Sequence, residues 1–229
     1  MKLGIGQLTN SLLSLFLKSN CPLCDRATDA ELCPYCQRQL QRCQLKHPSQ
    51  FWQGELPVFV WGHYGGTLKR AIAALKYENH TQLARPLGFG LGEAWLKSTA
   101  ARQRKKLTVI PIPIHPSKRR QRGFNQAELL AESFCQFTGY NYQPQGLERV
   151  RETEAQFGLS AKERSQNLTE AFAVGKRFGK RSHHSPVLIL DDIYTTGATA
   201  RSATEVLRQQ GIAVYGILAI ASSKQGRYL

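Results

Sequence analysis

The sequence predicts an α/β fold, in which helices flank a mostly parallel β-sheet and a small cysteine-bearing segment precedes it. Strand-like and helix-like patterns alternate after about residue 52. The runs at 107–114 and 187–190 are almost entirely apolar, as is typical of strands buried on both faces. Before residue 52, four cysteines form two CxxC pairs in a stretch with little periodicity. We therefore expect one domain over 1–52 and a second over 53–229.

The spacing of apolar residues predicts the helices and strands of the larger domain. Leu68, Ile72 and Leu75 recur at helical spacing, and Gly139 and Gly211 are typical of residues that end a helix. Strands are predicted at PVFVWGHY (57–64), LTVIPIPI (107–114), GLERVRE (146–152), SPVLILDD (185–192) and IAVYGILAIAS (212–222). Helices are predicted at 65–79, 85–99, 125–139 and 197–211, the second of them loosened by glycines at 88, 90 and 92.

The charge of the chain points to a polyanionic partner. Lys and Arg number 31 against 16 Asp and Glu, a net charge of +15, and residues 58–229 carry +13 of it. No acid occurs between Arg102 and Arg122, a stretch with eight basic residues: Arg102, Arg104, Lys105, Lys106, Lys118, Arg119, Arg120 and Arg122. There is no transmembrane segment of ~20 apolar residues. SLLSLFLKSN (11–20) makes a poor signal peptide and predicts an amphipathic first helix.

The cysteines of CPLC and CPYC have the spacing of a zinc site. Four thiolates, from Cys21, Cys24, Cys33 and Cys36, saturate a tetrahedral structural Zn²⁺. CPYC also resembles a redox motif, although the strand and βαβ unit that such a motif needs are not predicted around it. The two single cysteines, Cys43 and Cys135, are interpreted as buried thiols. We expect a reducing, cytoplasmic compartment.

The stretch VLILDDIYTTGATA (187–200) is the strongest functional pattern. Ligands of open α/β sheets lie beyond the carboxyl ends of the strands, where Asp191 and Asp192 are placed. The unpaired N–H groups of the following helix favour a phosphate, and the hydroxyls of the turn add donors. Two carboxylates would repel that phosphate unless they face sugar hydroxyls or Mg²⁺. The pattern therefore predicts a site for a phosphorylated ribose, formed by Asp191, Asp192, Thr195, Thr196, Gly197, Ala198 and Thr199.

A second anion site is predicted after the strand at 107–114. A basic loop follows that strand, then a tight turn at Gly123 and a helix capped by Asn125. The loop side chains are Lys118, Arg119, Arg120 and Arg122. The polar stretch 151–167 has the composition of a flap that closes over the site, with Arg151, Lys162 and Arg164 facing the anion; an ordinary surface loop is the alternative.

LDDIYTTGAT resembles the signature with which type I phosphoribosyltransferases bind phosphoribosyl pyrophosphate (PRPP). This resemblance implies that Asp191 and Asp192 bind the ribose hydroxyls, that residues 195–199 hold the 5′-phosphate, and that Mg²⁺ accompanies PRPP. RGFNQA, RETEAQFGL, ERSQN and LDDIYTTGAT, in this order behind four cysteines, resemble the ComF family over essentially the whole chain. That family implies a zinc-ribbon-like N-terminal segment, a phosphoribosyltransferase-like domain and a role in DNA uptake during natural transformation.

The resemblance leaves three functions open. In the first, the chain is a competence protein whose basic residues, Lys118, Arg119, Arg120 and Arg122, bind single-stranded DNA. It would then work with other DNA-uptake proteins and lie peripherally at the inner membrane through that machinery. In the second, it is an active phosphoribosyltransferase, with Arg119, Arg120, Arg122 and Gly123 binding PRPP and an unidentified acceptor attacking it. In the third, it senses PRPP without turnover.

Overall fold

A five-stranded parallel sheet forms the centre of the molecule. The computed structural model describes residues 19–103, 106–151, 171–176, 178 and 185–223. The strands of the sheet lie in the order β3, β9, β8, β4, β5, and every pairing between them is parallel. They are β3 (Val58–His63), β4 (Thr108–Pro111), β5 (Asn141–Tyr142), β8 (Val187–Tyr194) and β9 (Val214–Ser222). The predicted α/β class is therefore confirmed.

Two short antiparallel strand pairs lie outside this sheet. β1 (Ser19–Asn20) pairs with β2 (Ala27–Thr28) in the cysteine segment. β6 (Leu147–Arg149) pairs antiparallel with β7 (Phe172–Val174), so the strand predicted at 146–152 forms a separate two-stranded sheet. Residues 11–18 of the predicted first helix lie outside the described residues, and its last two residues form β1 instead.

The helices cover both faces of the sheet. They are α1 (Pro34–Gln41), α2 (Gly66–Tyr77), α3 (Ala84–Lys97), α4 (Thr99–Arg102), α5 (Pro116–Arg122), α6 (Gln126–Thr138) and α7 (Ala198–Gln209), with a 3₁₀ turn at Thr81–Leu83. One core lies between the sheet and α2, α3 and α6, and it continues into the cysteine segment through Leu23, Leu32 and Leu40. The other lies between the sheet, α7 and the β6/β7 pair. Successive residues of a strand point to opposite faces, so β8 contributes Leu188 and Leu190 to the first core and Val187 and Ile189 to the second.

The glycines of α3 pack against α6 and leave the helix unbroken. A Cβ on Gly88 would come within 2.6 Å of the Ser133 side chain and 2.8 Å of the Leu130 carbonyl oxygen. A Cβ on Gly92 would come within 2.8 Å of the Phe137 ring. The expectation of a loosened helix gives way to a continuous one, because the missing side chains let two helices approach closely.

The basic segment after β4 is a helix, where the sequence predicted a loop. His115 caps α5 by accepting a hydrogen bond from the Ser117 N–H at 3.3 Å, and Pro116 occupies the first helical position. Gly123, at a φ of 85°, ends the helix in the left-handed conformation that glycine adopts easily. The helix fixes the directions in which its basic side chains point.

Within the described residues, no helix combines the length and the apolar character required to cross a membrane.

Candidate functional site

The four predicted thiols meet in one cluster. The Sγ atoms of Cys21, Cys24, Cys33 and Cys36 all lie within 4.8 Å of one another. Tetrahedral Zn²⁺ with Zn–S bonds of about 2.3 Å places its sulfurs about 3.8 Å apart, so the cluster has the right size to hold such an ion. Cys21 and Cys24 lie in the turn between β1 and β2, and Cys33 and Cys36 at the start of α1.

A local hydrogen bond prepares one of these thiols to bind a cation. The backbone N–H of Cys36 donates to Cys33 Sγ at 3.5 Å, and this bond, with the neighbouring thiols, lowers the pKa of Cys33 to about 6. Burial raises the pKa of Cys36. Since a metal binds thiolates, the lowered pKa of Cys33 favours binding of an ion by the cluster.

The other two cysteines lie outside the cluster. Burial raises the pKa of Cys135 to about 12, as expected for a buried thiol. Cys43 is half-buried, and its thiol donates to the Gln39 carbonyl at 3.5 Å.

Asp192 is buried at the carboxyl end of β8 and is held by two helices. Only 4% of the surface of Asp192 is exposed to solvent. Its Oδ2 forms an ion pair with Lys76 Nζ at the end of α2, and its Oδ1 accepts a hydrogen bond at 3.4 Å from Gln126 Nε2 at the start of α6. Asp192 extends the strand face of Leu188 and Leu190, which is the face that α2 and α6 cover.

Asp191 lies on the opposite face of the strand, where the ionised form of its side chain is disfavoured. Its Oδ1 accepts the backbone N–H of Asp192 at 2.8 Å. Burial, and then the Asp192 carboxylate, raise the pKa of Asp191 well above its ordinary value, while Lys76 acts in the opposite direction. These effects favour the protonated form of Asp191, whereas a divalent cation beside the two carboxyl groups would favour the ionised form.

The turn after β8 leads into the N-terminus of α7. Thr195 and Thr196 are exposed, whereas Ala198 and Thr199 are half-buried. Gly197 has a φ of 77°, and a Cβ there would collide with the Tyr194 hydroxyl and lie 3.0 Å from Arg201 Nη1. A glycine is therefore required at this position. The turn presents two hydroxyls and the helix N-terminus, with a guanidinium group close by, an arrangement that suits an anion.

A chain of polar contacts connects α5 to the acidic pair. Arg122 Nη1 donates to Gln126 Oε1, and the same amide group donates to Asp192. Asn125 caps α6 as predicted, by accepting the Ala127 N–H at 3.0 Å, and its Nδ2 donates to the Ile112 carbonyl at 3.0 Å. Through these bonds, α5 and the carboxyl end of β8 form one connected site.

The four cations of α5 differ in how they are held. Arg119 forms a bidentate pair with Glu128, with N–O distances of 2.6 and 2.9 Å. The guanidinium carbon of Arg122 lies 5.4 Å from the centre of the Tyr77 ring. Lys118 and Arg120 are exposed, and neither forms an ion pair with another residue that the structure describes.

The described residues of the acid-free basic stretch fall into two groups. Arg102 and Lys106 lie before β4 and the α5 cations after it, so the strand separates the two groups to opposite ends of the sheet. Arg104 and Lys105 lie outside the described residues, as do Lys162 and Arg164 of the predicted flap. Arg151 is described and exposed.

Three residues of the site were not singled out from the sequence: Lys76, Gln126 and Arg201. A signal for Lys76 was present, because Leu68, Ile72 and Lys76 follow one another at intervals of four residues, which places a cation on the apolar stripe of α2. Gln126 and Arg201 carry no comparable signal. Their roles depend on contacts between segments that are distant in the sequence or on the shape of one turn.

Comparison with known proteins identifies relatives over most of the chain. Competence protein F of Haemophilus influenzae is 30% identical over 188 residues, which cover 79% of this chain and 80% of that protein. The DNA utilization protein YhgH of Escherichia coli K12 is 29% identical over 206 residues, with 84% and 86% covered. Competence protein ComFC of Streptococcus pneumoniae is 27% identical over 200 residues, with 85% and 82% covered. No model of a known protein family matches the chain.

Proposed function

Because the chain belongs to the ComF family of competence proteins, we propose that it acts in DNA uptake during natural transformation. Its relatives are named as competence and DNA utilization proteins. We place it in the cytoplasm, peripherally at the inner membrane and in contact with other proteins of the uptake machinery.

We propose that the carboxyl end of β8 binds PRPP with Mg²⁺. The observation that supports this most strongly is the juxtaposition of the acidic pair with the turn at 195–197 and the α7 N-terminus. The 5′-phosphate would accept hydrogen bonds from the Thr195 and Thr196 hydroxyls and from the first N–H groups of α7. Asp191 and Asp192 would accept hydrogen bonds from the ribose hydroxyls, and Mg²⁺ beside them would oppose the burial and the Asp192 charge that raise the pKa of Asp191.

The pyrophosphate of PRPP would face α5. Lys118, Arg120 and Arg122 project from this helix, and Gly123 ends it beside the site. Arg119 contributes less in this proposal, because its guanidinium group is already neutralised by Glu128.

The thiol cluster would hold a structural Zn²⁺. All four ligand positions would be thiolates, so the ion would have no open position and its contribution would be to folding. The core between the sheet and α2, α3 and α6 continues into the cysteine segment, and Arg85 of α3 pairs with Glu31 at 2.6 Å to attach it to the body. The metal would stabilise both the segment and this contact.

Single-stranded DNA would bind along the basic side chains of α5. The exposed Lys118 and Arg120 can neutralise backbone phosphates without sequence preference. The same residues are proposed for the pyrophosphate, so PRPP and DNA would compete.

The electrostatics of Asp191 favour a second candidate, an active phosphoribosyltransferase. A carboxyl group with a raised pKa in a ligand site is a common feature of catalytic centres. In that reaction the bond between ribose C1 and the pyrophosphate oxygen breaks, the oxygen keeps the electron pair, and an acceptor nitrogen bonds to C1. Release of pyrophosphate from PRPP with one member of a panel of bases and amines would establish it.

Complementation tests the proposed function. A strain that lacks this protein should lose transformation by chromosomal DNA, and the wild-type chain should restore it. The double variant Asp191→Ala/Asp192→Ala should fail to restore it, whereas Asp29→Ala, which removes an exposed carboxylate of the cysteine segment, should succeed. Normal transformation in the deletion strain would overturn the role in uptake. Full rescue by the double variant would separate that role from PRPP.

A further inference from the structure

A cavity of about 420 Å³ lies between the end of α2 and α5. Its lining includes the cations Lys76, Lys118 and Arg122 and the aromatic rings Tyr77 and Phe124. No carboxylate lines it among the residues that the structure describes. Cations and aromatic rings together are what single-stranded nucleic acid requires, because it offers phosphates and the flat faces of bases.

Tyr77 is the unusual residue of this cavity. It is 76% exposed, more than any other large hydrophobic side chain described, although an aromatic ring gains substantially from burial. Arg122 lies over the ring at 5.4 Å from its centre, which holds the ring in place through a cation–π contact. A ring has two faces, so this arrangement is compatible with a base stacked on the other one.

The positive charge continues beyond the cavity along both helices. Lys69 and Arg70 are exposed on α2, each seven residues before a cavity residue and therefore on the same side of the helix. Arg120 is exposed on α5. These cations exceed what the phosphate of one nucleotide needs, and they favour a longer strand over a mononucleotide.

We propose that this cavity binds one nucleotide of a single-stranded DNA. The base stacks on Tyr77, its phosphates contact Lys118 and Arg122, and the strand continues along the cations of α2 and α5. This rests on the proposed binding of single-stranded DNA and adds to it a defined base-binding position.

The cavity also shares a residue with the acidic site. Lys76 lines the cavity and forms the ion pair with Asp192. A phosphate in the cavity attracts the Lys76 ammonium group away from Asp192. In turn, a ligand bound to Asp192 changes the electrostatic potential at the phosphate. Because the strand and PRPP also share Lys118 and Arg122, each should weaken the binding of the other, and this antagonism is reciprocal.

Fluorescence anisotropy with a labelled oligothymidylate tests the proposal. Tyr77→Ala should weaken binding roughly five- to hundredfold, since stacking on one aromatic ring is worth ~1–3 kcal/mol per base. The salt dependence should keep its slope, because the variant retains every cation that meets a phosphate. Tyr77→Phe, which keeps the ring, should bind as the wild type does. The control is Phe137→Ala, which removes another exposed aromatic ring, from α6, without touching the cavity.

An abasic oligomer of the same length separates stacking from charge. The wild type should bind it about as weakly as Tyr77→Ala binds oligothymidylate, and Tyr77→Ala should lose nothing further. Equal affinities of the wild type and Tyr77→Ala for oligothymidylate would overturn the base-binding position and leave DNA binding intact. Saturation of the cavity by thymidine monophosphate at the concentrations that bind the oligomer would instead show a mononucleotide site. A wild type that binds no DNA would overturn the proposed binding of single-stranded DNA, on which this inference rests.

Discussion

Lys76 Nζ forms an ion pair with Asp192 Oδ2 and so joins the last turn of α2 to the carboxyl end of β8. The lysine side chain is 15% exposed and the aspartate side chain 6%. Removal of one partner of such a pair leaves the other charge buried without compensation, which costs much more than breaking a surface pair.

Lys76→Ala should therefore lower the free energy of unfolding by roughly 3 kcal/mol. The matched control is Lys97→Ala, which breaks an exposed pair with Glu93 on α3 and should cost ~0.3–0.5 kcal/mol. Urea unfolding of both variants measures the difference. Equal losses of stability would mean that the buried pair contributes no more than a surface one.

The sequence predicted the parts of the molecule that depend on local pattern. The apolar runs located β4 and β8, and the helical spacing of Leu68 and Ile72 located α2. The cysteine spacing identified the four thiols that form the cluster. A division between domains at residues 52 and 53 remains a prediction.

Features that depend on contacts between distant segments could not be predicted. Nothing near Asp192 in the sequence indicates that Lys76 will pair with it. The close approach of α6 to α3 makes Gly88 a packing residue, although in isolation it looks like a helix breaker. The helical form of α5 depends on a histidine cap, which composition alone does not reveal in so basic a segment.

The thiol cluster should carry about one zinc per chain. Cys33→Ser should lose the metal and most of the soluble protein, because a structural site contributes its binding energy to folding. Cys43→Ser, which replaces a half-buried cysteine outside the cluster, should keep both. Elemental analysis of protein prepared without chelator measures the zinc, and its absence from the wild type would remove the metal assignment.

The raised pKa of Asp191 predicts how the stability of the protein depends on pH. Burial and the Asp192 carboxylate favour the protonated form in the folded chain, whereas the unfolded chain releases this proton near pH ~3.9. Between that pH and the raised pKa, the folded state binds more protons than the unfolded state, so this group makes stability fall as pH rises.

Asp191→Asn should accordingly be more stable than the wild type at neutral pH. As the pH rises above about 4, the free energy of unfolding of the variant should fall less than that of the wild type. Below pH ~3, Asp191 is protonated in both the folded and the unfolded chain. Its titration should therefore no longer change the difference in stability between the wild type and the variant. Urea unfolding across this range measures both curves. Parallel curves for the wild type and the variant would show that Asp191 titrates normally.

Lys118 and Arg120, the exposed cations of α5 that pair with no acid among the described residues, should dominate the electrostatic binding of DNA. Removing one phosphate-binding cation reduces the slope of log K against log salt by ~0.7 for a single strand, so Lys118→Ala/Arg120→Ala should reduce it by about 1.4. Arg119→Ala should change it less, because Glu128 already neutralises that residue. The control is Arg208→Ala, which removes a cation at the C-terminus of α7 that pairs with Glu55. This variant should leave the slope unchanged. A larger effect from Arg119 than from the other two would contradict this ranking.

Calorimetric titration of PRPP with Mg²⁺ tests most directly whether the carboxyl end of β8 binds PRPP. The wild type should bind, and Asp191→Ala and Asp192→Ala should each weaken binding about ten- to hundredfold, since a hydrogen bond to a charged group is worth ~1.5–3 kcal/mol. Asp29→Ala should bind as the wild type does, and circular dichroism should confirm that every variant is folded. Undiminished binding of PRPP by a folded Asp191→Ala/Asp192→Ala double variant, or no binding by the wild type, would contradict the assignment.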